Sequence, residues 1–351
     1  MKTRLTELLG IEHPVLSAGM ARVAQADLVV AVSNAGGMGC LGGVSFMPEA
    51  LDAEIYDIKQ RTDKPFAVNL LLPDVLTSED ESSWAPVREL WENLDPSERG
   101  KLKGVEALLT KGAVQGQIDV VMEQAPSVVI LTFATPADFI GRCHRKGITV
   151  GALCGSIGRA KAAADAGADF LIGQGTEGGG HTGHVGTMAL IPGLVDAVDV
   201  PVAAAGGISD GRGLAASLAL GADGVWVGTR FIASEEAYGH DAFKQRVVEG
   251  QSRDTVLTRA YTGKPLRAFR NDWTSEWEGR TEQIAAFPAQ YAVAGTRVET
   301  GYQDGDLTTG MMPAGQGIQT VREILPAGKI VSGMVHEAEE ILRRLAGNPG
   351  H

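Results

Sequence analysis

Over the first 235 residues, short and almost wholly apolar runs alternate with longer stretches in which apolar positions recur every three or four residues. The runs at 14–18, 38–41, 66–72, 128–133, 149–153, 170–173, 201–205 and 224–227 are rich in β-branched residues, and several show no polar alternation. Strands buried on both faces read this way, as in a parallel sheet covered by helices. Between them, residues 24–34, 48–61, 117–124, 137–146, 156–166, 192–198 and 210–220 carry the helical period. Eight strands alternating with helices predict an α/β chain closed as a (β/α)8 barrel of the TIM type. An open doubly wound sheet is the alternative that the pattern alone allows.

Two stretches exceed a minimal barrel. Residues 74–116, after the third strand, are polar and charged and contain Trp84 and Trp91. They predict a helical insertion over the barrel mouth; long excursions of this kind are usually functional lids or disordered. Residues 236–351 follow the eighth strand, hold Trp273 and Trp277, and close on a helical pattern at 336–345. They predict a C-terminal helical cap. The expected organisation is a barrel over 1–235, carrying the insertion, and a cap over 236–351.

Composition narrows the function. The chain has 351 residues, 44% hydrophobic and 21% charged, enough to bury a sizeable core. Its 31 basic and 43 acidic side chains give a net charge of −12. That disfavours nucleic acid and anionic membranes as partners and leaves a small-molecule substrate. A homo-oligomer is compatible with the sequence. No run of 18 apolar residues predicts a membrane span, and the N-terminus has no signal-peptide core. Cys40, Cys143 and Cys154 form no CxxC pair and read as buried thiols of a cytoplasmic protein.

The 46 glycines are the outlier. In a barrel of this type ligands bind where strands end. Ala18-Gly19-Met20 follows the first strand, and Asn69 lies in or near the end of the third. Gln174 and a long glycine run follow the sixth, Gly206-Gly207 the seventh, and Gly228-Thr229 the eighth, directly after Trp226-Val227. Glycines after the seventh and eighth strands suit a phosphate held by backbone N–H groups. The segment 173–178 matches GxGxxG, but the glycines that follow stand where a Rossmann loop would open a helix. His181 lies on the run Gly178-Gly179-Gly180-His181-Thr182-Gly183-His184, a place suited to proton transfer. No third ligand accompanies His181 and His184, so no metal is expected. No strand-end lysine suggests an aldolase. A flavin mononucleotide (FMN) would fit, with its phosphate at the two loops and its ring facing His181.

At these residues the chain resembles the nitronate monooxygenase family, formerly the 2-nitropropane dioxygenases. That family includes FMN-dependent NADH:quinone reductases and FMN-type enoyl-acyl-carrier-protein reductases. The resemblance is carried by His13-Pro14 to Gly19-Met20, by 31–37, by 65–70, by 174–183, and by Ala205-Gly206-Gly207-Ile208. Residues 221–231, 262–271 and 314–316 extend it over most of the chain. It implies a TIM-type barrel with FMN. Asn69, Gln174 and Gly179 should touch the flavin, Met20 should pack near its ring, and Ala18 and Gly19 should belong to the same cofactor site. Gly206, Gly207, Trp226, Val227, Gly228 and Thr229 should hold the phosphate end, and Gln316 should approach from the cap. His181 matches the family's active-site histidine. The implied activity is oxidation of alkyl nitronates with O2 to a carbonyl compound and nitrite. Three alternatives stand beside it. One is an NAD(P)H-dependent reductase of a quinone or of an enoyl or acyl thioester, such as a coenzyme A ester. The others are a non-catalytic flavin-binding protein and a nucleotide dehydrogenase using Cys154.

Overall fold

A computed structural model describes residues 1–72, 110–287 and 289–347, together with residues 89, 92 and 93. In chain order the strands are β1 (Val15–Ser17), β2 (Gly39–Leu41), β3 (Phe66–Leu72), β4 (Val128–Phe133), β5 (Thr149–Cys154), β6 (Phe170–Gln174), β7 (Gly180–His181), β8 (Val202–Ala205), β9 (Gly224–Val227), β10 (Thr255–Thr258) and β11 (Leu266–Phe269). Eight of them form one parallel sheet in the order β1-β9-β8-β6-β5-β4-β3-β2. A parallel bridge from Leu16 to Met38 joins its two edges, and Cys40 N–H donates to Ser17 Oγ at 3.1 Å. The sheet is therefore a closed (β/α)8 barrel. Its strands are the eight that the apolar runs predicted, the seventh and eighth now being β8 and β9.

The near-continuous apolar strands follow from two cores, one on each side of the sheet. Leu16, Cys40, Ala67, Ile130, Phe170, Ile172, Ala203 and Trp226 point into the barrel. Leu5 closes this inner cluster from α1 (Arg4–Leu9), a helix the pattern did not predict. Thr3 starts it through a capping box with Thr6. Outward-facing residues pack under the surrounding helices. These are α2 (Ala26–Asn34), α3 (Pro48–Arg61), α4 (Lys111–Gln124), α5 (Ala137–Arg145), α6 (Ile157–Asp165), α7 (Thr187–Val195) and α8 (Gly211–Ala219).

Two boundaries differ from expectation for local reasons. Helix α4 starts at Lys111, six residues before the predicted 117, because Thr110 accepts the Ala113 N–H as its cap. The insertion expected at 74–116 otherwise falls mainly on residues outside those described. Helix α7 starts at Thr187 with Pro192 inside it. A proline suggested a helix start at 192, but the Glu177 carboxylate accepts the Thr187 N–H at 2.9 and 3.0 Å and fixes the start earlier.

The C-terminal part is more than helical. Beyond β9 come α9 (Thr229–Ile232), α10 (Asp241–Glu249), α11 (Asp272–Glu278), α12 (Gln290–Ala294), α13 (Arg297–Gln303) and the long α14 (Ala327–Leu345). Helix α14 lies against α8, where the Glu337 carboxylate accepts the Gly211 N–H at 2.7 Å. Between α10 and α11, β10 and β11 pair antiparallel, and β11 then pairs with β7, matching Leu266 to His181 and Arg267 to Gly180. This three-stranded sheet ties the glycine run of the barrel to the C-terminal part. Among the described residues, no helix is long and apolar enough to cross a membrane.

Candidate active site

A cavity of about 800 Å3 opens at the C-terminal ends of the barrel strands. That is large for a small-molecule site. Of the residues singled out from sequence, Ala18, Gly19, Met20, Asn69, Gln174, Gly179, His181, Gly206, Gly207, Trp226, Gly228 and Thr229 line it. Val227 and Gln316 do not. Val227 is packed in the core, its carbonyl accepting the Ala18 N–H, while Gln316 makes backbone bonds to Glu177 and Ser252. Alternation along β9 explains the first case, because Trp226 and Val227 face opposite sides of the sheet.

One wall presents backbone N–H groups that have no acceptor among the described residues. Gly206 and Gly207 hold φ of 100° and 73°, left-handed values that glycine adopts without strain. The turn they make leaves the N–H groups of Gly207 and Ile208 without an acceptor among the described residues. The N–H groups of Gly228 and Thr229, on the neighbouring loop, are also without one. The Thr229 hydroxyl accepts the Gly315 N–H at 2.9 Å, which leaves its proton to donate. Ser209 Oγ is buried with no partner, and it lies against Gly317. The loop is held from behind by Thr187, whose hydroxyl contacts the Gly206 carbonyl and the Glu177 carboxylate, each at 2.9 Å.

The opposite chemistry sits on β7. Gln174 donates to the His181 carbonyl at 2.8 Å, and the β7–β11 pairing fixes the same backbone. The imidazole lies edge-to-face with Phe133 at 5.5 Å and with Phe287 at 6.3 Å. Its Nε2 is 3.0 Å from the Thr262 hydroxyl. Lys264 Nζ stands 3.8 Å over the Phe133 ring and 4.5 Å over the Phe287 ring. Burial, then the Lys264 charge, lower the imidazole pKa to about 4. His181 is thus a neutral base near pH 7. Asn69 sits mid-strand in β3, its amide donating to the Ile130 carbonyl and Thr132 hydroxyl, so its carbonyl oxygen remains for a ligand.

Sequence reasoning missed several lining residues. Ser209 adjoins the predicted loop, so its place in the run Gly206-Gly207-Ile208-Ser209 was the available signal. Thr262 and Lys264 lie in the run 262–271 that carried the resemblance, which was their available signal; Phe133 and the ion pair of Arg22 with Glu299 (2.8 Å) carry no local signal, because distant segments bring them to the cavity. Cys154 offers no nucleophile: its thiol is buried and pushed up to about 12 by desolvation.

Comparisons with known proteins place this arrangement. The family model described as nitronate monooxygenase matches residues 2–337. A probable nitronate monooxygenase from Staphylococcus saprophyticus is 33% identical, covering 98% of this chain and 99% of that protein. FabK from Thermotoga maritima superposes with a TM-score of 0.82 at 33% identity, covering 99% of both chains. A nitroalkane oxidase from Streptomyces ansochromogenes does so with a TM-score of 0.83 at 29% identity, covering 98% of this chain and all of the other. The match runs through the glycine run that carries His181 and through the loops at Gly206-Gly207 and Gly228-Thr229. The chain is an oxidoreductase of the nitronate monooxygenase family.

Proposed function

We propose that the protein binds FMN and oxidises alkyl nitronates with O2 to a carbonyl compound and nitrite. The observation that carries this reading is a single cavity holding an anion cradle and a neutral imidazole. The cradle fits the phosphate of FMN. Four backbone N–H groups and the Ser209 hydroxyl want partners there, and the dianion supplies acceptors for them. Bound FMN would supply the electron-accepting chemistry.

The protein's own groups do the rest. Asn69 and Gln174 line the cavity with amide groups fixed by the backbone and orient what lies between them. Phe133 and Phe287 flank the histidine, and the buried Tyr291 backs Phe287, an aromatic surface that limits water around the reacting carbon. With a neutral nitroalkane, His181 accepts the α-proton. With a preformed nitronate no proton has to move. The second reading is a reductase using NADH or NADPH. The superposition on FabK is as close as that on the nitroalkane oxidase, so the fold does not choose between the two.

Anaerobic stopped-flow separates them. The purified protein is mixed in turn with propyl nitronate, NADH and NADPH while flavin absorbance is followed. Rapid bleaching by the nitronate, with nitrite released on admitting O2, is the expected result. Bleaching by NADH or NADPH alone would replace this reading with the reductase. Recovery of FAD, or of no flavin after reconstitution, would remove FMN from it.

A further inference from the structure

Thr262 lies in the turn that leads into β11, and it is buried. Three polar contacts converge on its hydroxyl. The hydroxyl donates to the Lys264 carbonyl at 3.1 Å, accepts the Lys264 N–H at 3.2 Å, and lies 3.0 Å from His181 Nε2. A hydroxyl has one hydrogen and two lone pairs. A carbonyl cannot donate, so the one arrangement that makes all three contacts hydrogen bonds gives the hydroxyl hydrogen to the Lys264 carbonyl. The Lys264 N–H takes one lone pair. Only a lone pair is left for the imidazole, so Nε2 must carry the hydrogen and donate it.

In a neutral imidazole that leaves Nδ1 as a bare lone pair. Nδ1 has no partner among the described residues, and His181 lines the cavity. The plane of the ring is held independently, by Phe133 and Phe287 at its edges. Phe133 has φ of 77°, a costly conformation for a bulky side chain and one found where a site over-determines its parts. Other charged groups leave this arrangement intact. Lys264 is over the two phenyl rings, Arg267 donates to the Thr176 carbonyl, and Arg159 donates to the Phe133 carbonyl. His184 lines the same cavity.

We propose that Thr262 is a positioning residue that fixes His181 as its Nε2–H tautomer, making Nδ1 the atom that receives the substrate's proton. The functional half of this proposal rests on His181 as the proton acceptor for nitroalkanes. In that step the α-C–H bond breaks and its electron pair becomes the C=N bond of the nitronate. The negative charge moves to the nitro oxygens and the proton goes to Nδ1. The imidazolium keeps donating Nε2–H to Thr262. No oxidant enters the step. Because Nδ1 brings no hydrogen of its own, Thr262 favours proton removal from a neutral nitroalkane over hydrogen bonding to a preformed nitronate.

The test is NMR of protein labelled with 15N-histidine at neutral pH, with His181 assigned by comparison with His181→Gln. Long-range 15N–1H correlations distinguish the two tautomers. Wild type should show His181 as Nε2–H alone, with or without flavin bound. Thr262→Ser, which keeps the hydroxyl, should show the same pattern. Thr262→Val should add the Nδ1–H form and lower kcat/KM about tenfold for a neutral nitroalkane, with a change below about twofold for the nitronate. An unchanged tautomer in Thr262→Val would overturn the proposal, as would Nδ1–H in wild type. If Thr262→Val does not fold, wild type and Thr262→Ser decide by the same criterion. If Thr262→Val shifts the tautomer but wild type oxidises no nitroalkane, the tautomer assignment stands and the functional reading falls.

Discussion

Replacing Ser209 by alanine should move two measurements in opposite directions. Its Oγ is buried without a partner, pressed against Gly317 beside the Gly207 carbonyl. An unsatisfied buried polar group costs about 1–3 kcal/mol. Removing the oxygen abolishes that penalty and leaves a gap of one atom, which returns up to about 1 kcal/mol. Flavin-free Ser209→Ala should therefore be as stable as wild type or up to about 3 kcal/mol more stable. With FMN bound, the same hydroxyl is expected to donate to the phosphate. A hydrogen bond to a charged group contributes about 1.5–3 kcal/mol, so FMN should bind about 10- to 150-fold more weakly to the variant. The assay pairs urea unfolding of the flavin-free protein with titration of FMN by fluorescence quenching. Riboflavin, which has the ring and no phosphate, is the control, and its affinity should hardly change. Equal losses for FMN and riboflavin would refute the phosphate assignment. A destabilised flavin-free variant would show that the hydroxyl already has a partner within the fold.

Three further outcomes are expected. His181→Gln should bind FMN nearly as wild type does, while kcat/KM for a neutral nitroalkane falls about 100-fold or more, with a smaller loss for the nitronate; equal losses in steady-state assays would mean the ring only shapes the pocket. The imidazole pKa is lowered to about 4 from 6.5, so between those values the unfolded chain binds a proton that the folded chain refuses. The contribution of His181 to stability is therefore complete above about pH 6.5 and declines toward pH 4, by up to about 3 kcal/mol; urea midpoints at several pH values should fall more steeply for wild type than for His181→Gln. Glu177→Ala removes the carboxylate that caps α7 and braces Thr187, at a cost of about 1–2 kcal/mol; FMN titration should also weaken, and an unchanged urea midpoint would show that the cap is dispensable.

Much of the scaffold was legible because its rules are local. Buried parallel strands need apolar residues on both faces, so β8 appears as an unbroken apolar run and β3 and β4 as runs broken by a single polar residue each, Asn69 and Thr132. The turn of the glycine loop after β8 was legible for a related reason. Gly206 and Gly207 must turn with positive φ immediately after a strand, and sequence records that need directly. His181 was visible as a histidine on a glycine run. The same locality explains the errors: Pro192 looked like a helix start, and the capping carboxylate that overrules it lies ten residues earlier at Glu177.

The sequence by itself determined the eight strands and the helices between them, the glycine loops at their ends, and the histidine on the longest of these, since each depends on periodicity or backbone freedom within a few residues; closure of the sheet into a barrel is a tertiary contact, the Leu16–Met38 bridge. Only the tertiary structure decided the chemistry of that histidine. Thr262 and Lys264 lie 81 and 83 residues away in the chain, and Phe133 lies 48 residues before it. The pairing of β7 with β11 carries Thr262 and Lys264 to the imidazole, while the end of β4 supplies Phe133. Hydrogen-bond direction, desolvation and the nearby ammonium act over a few ångströms, and chain separation carries no record of such distances. The same holds for Ser209, whose hydroxyl is buried against Gly317 by a segment 108 residues further along.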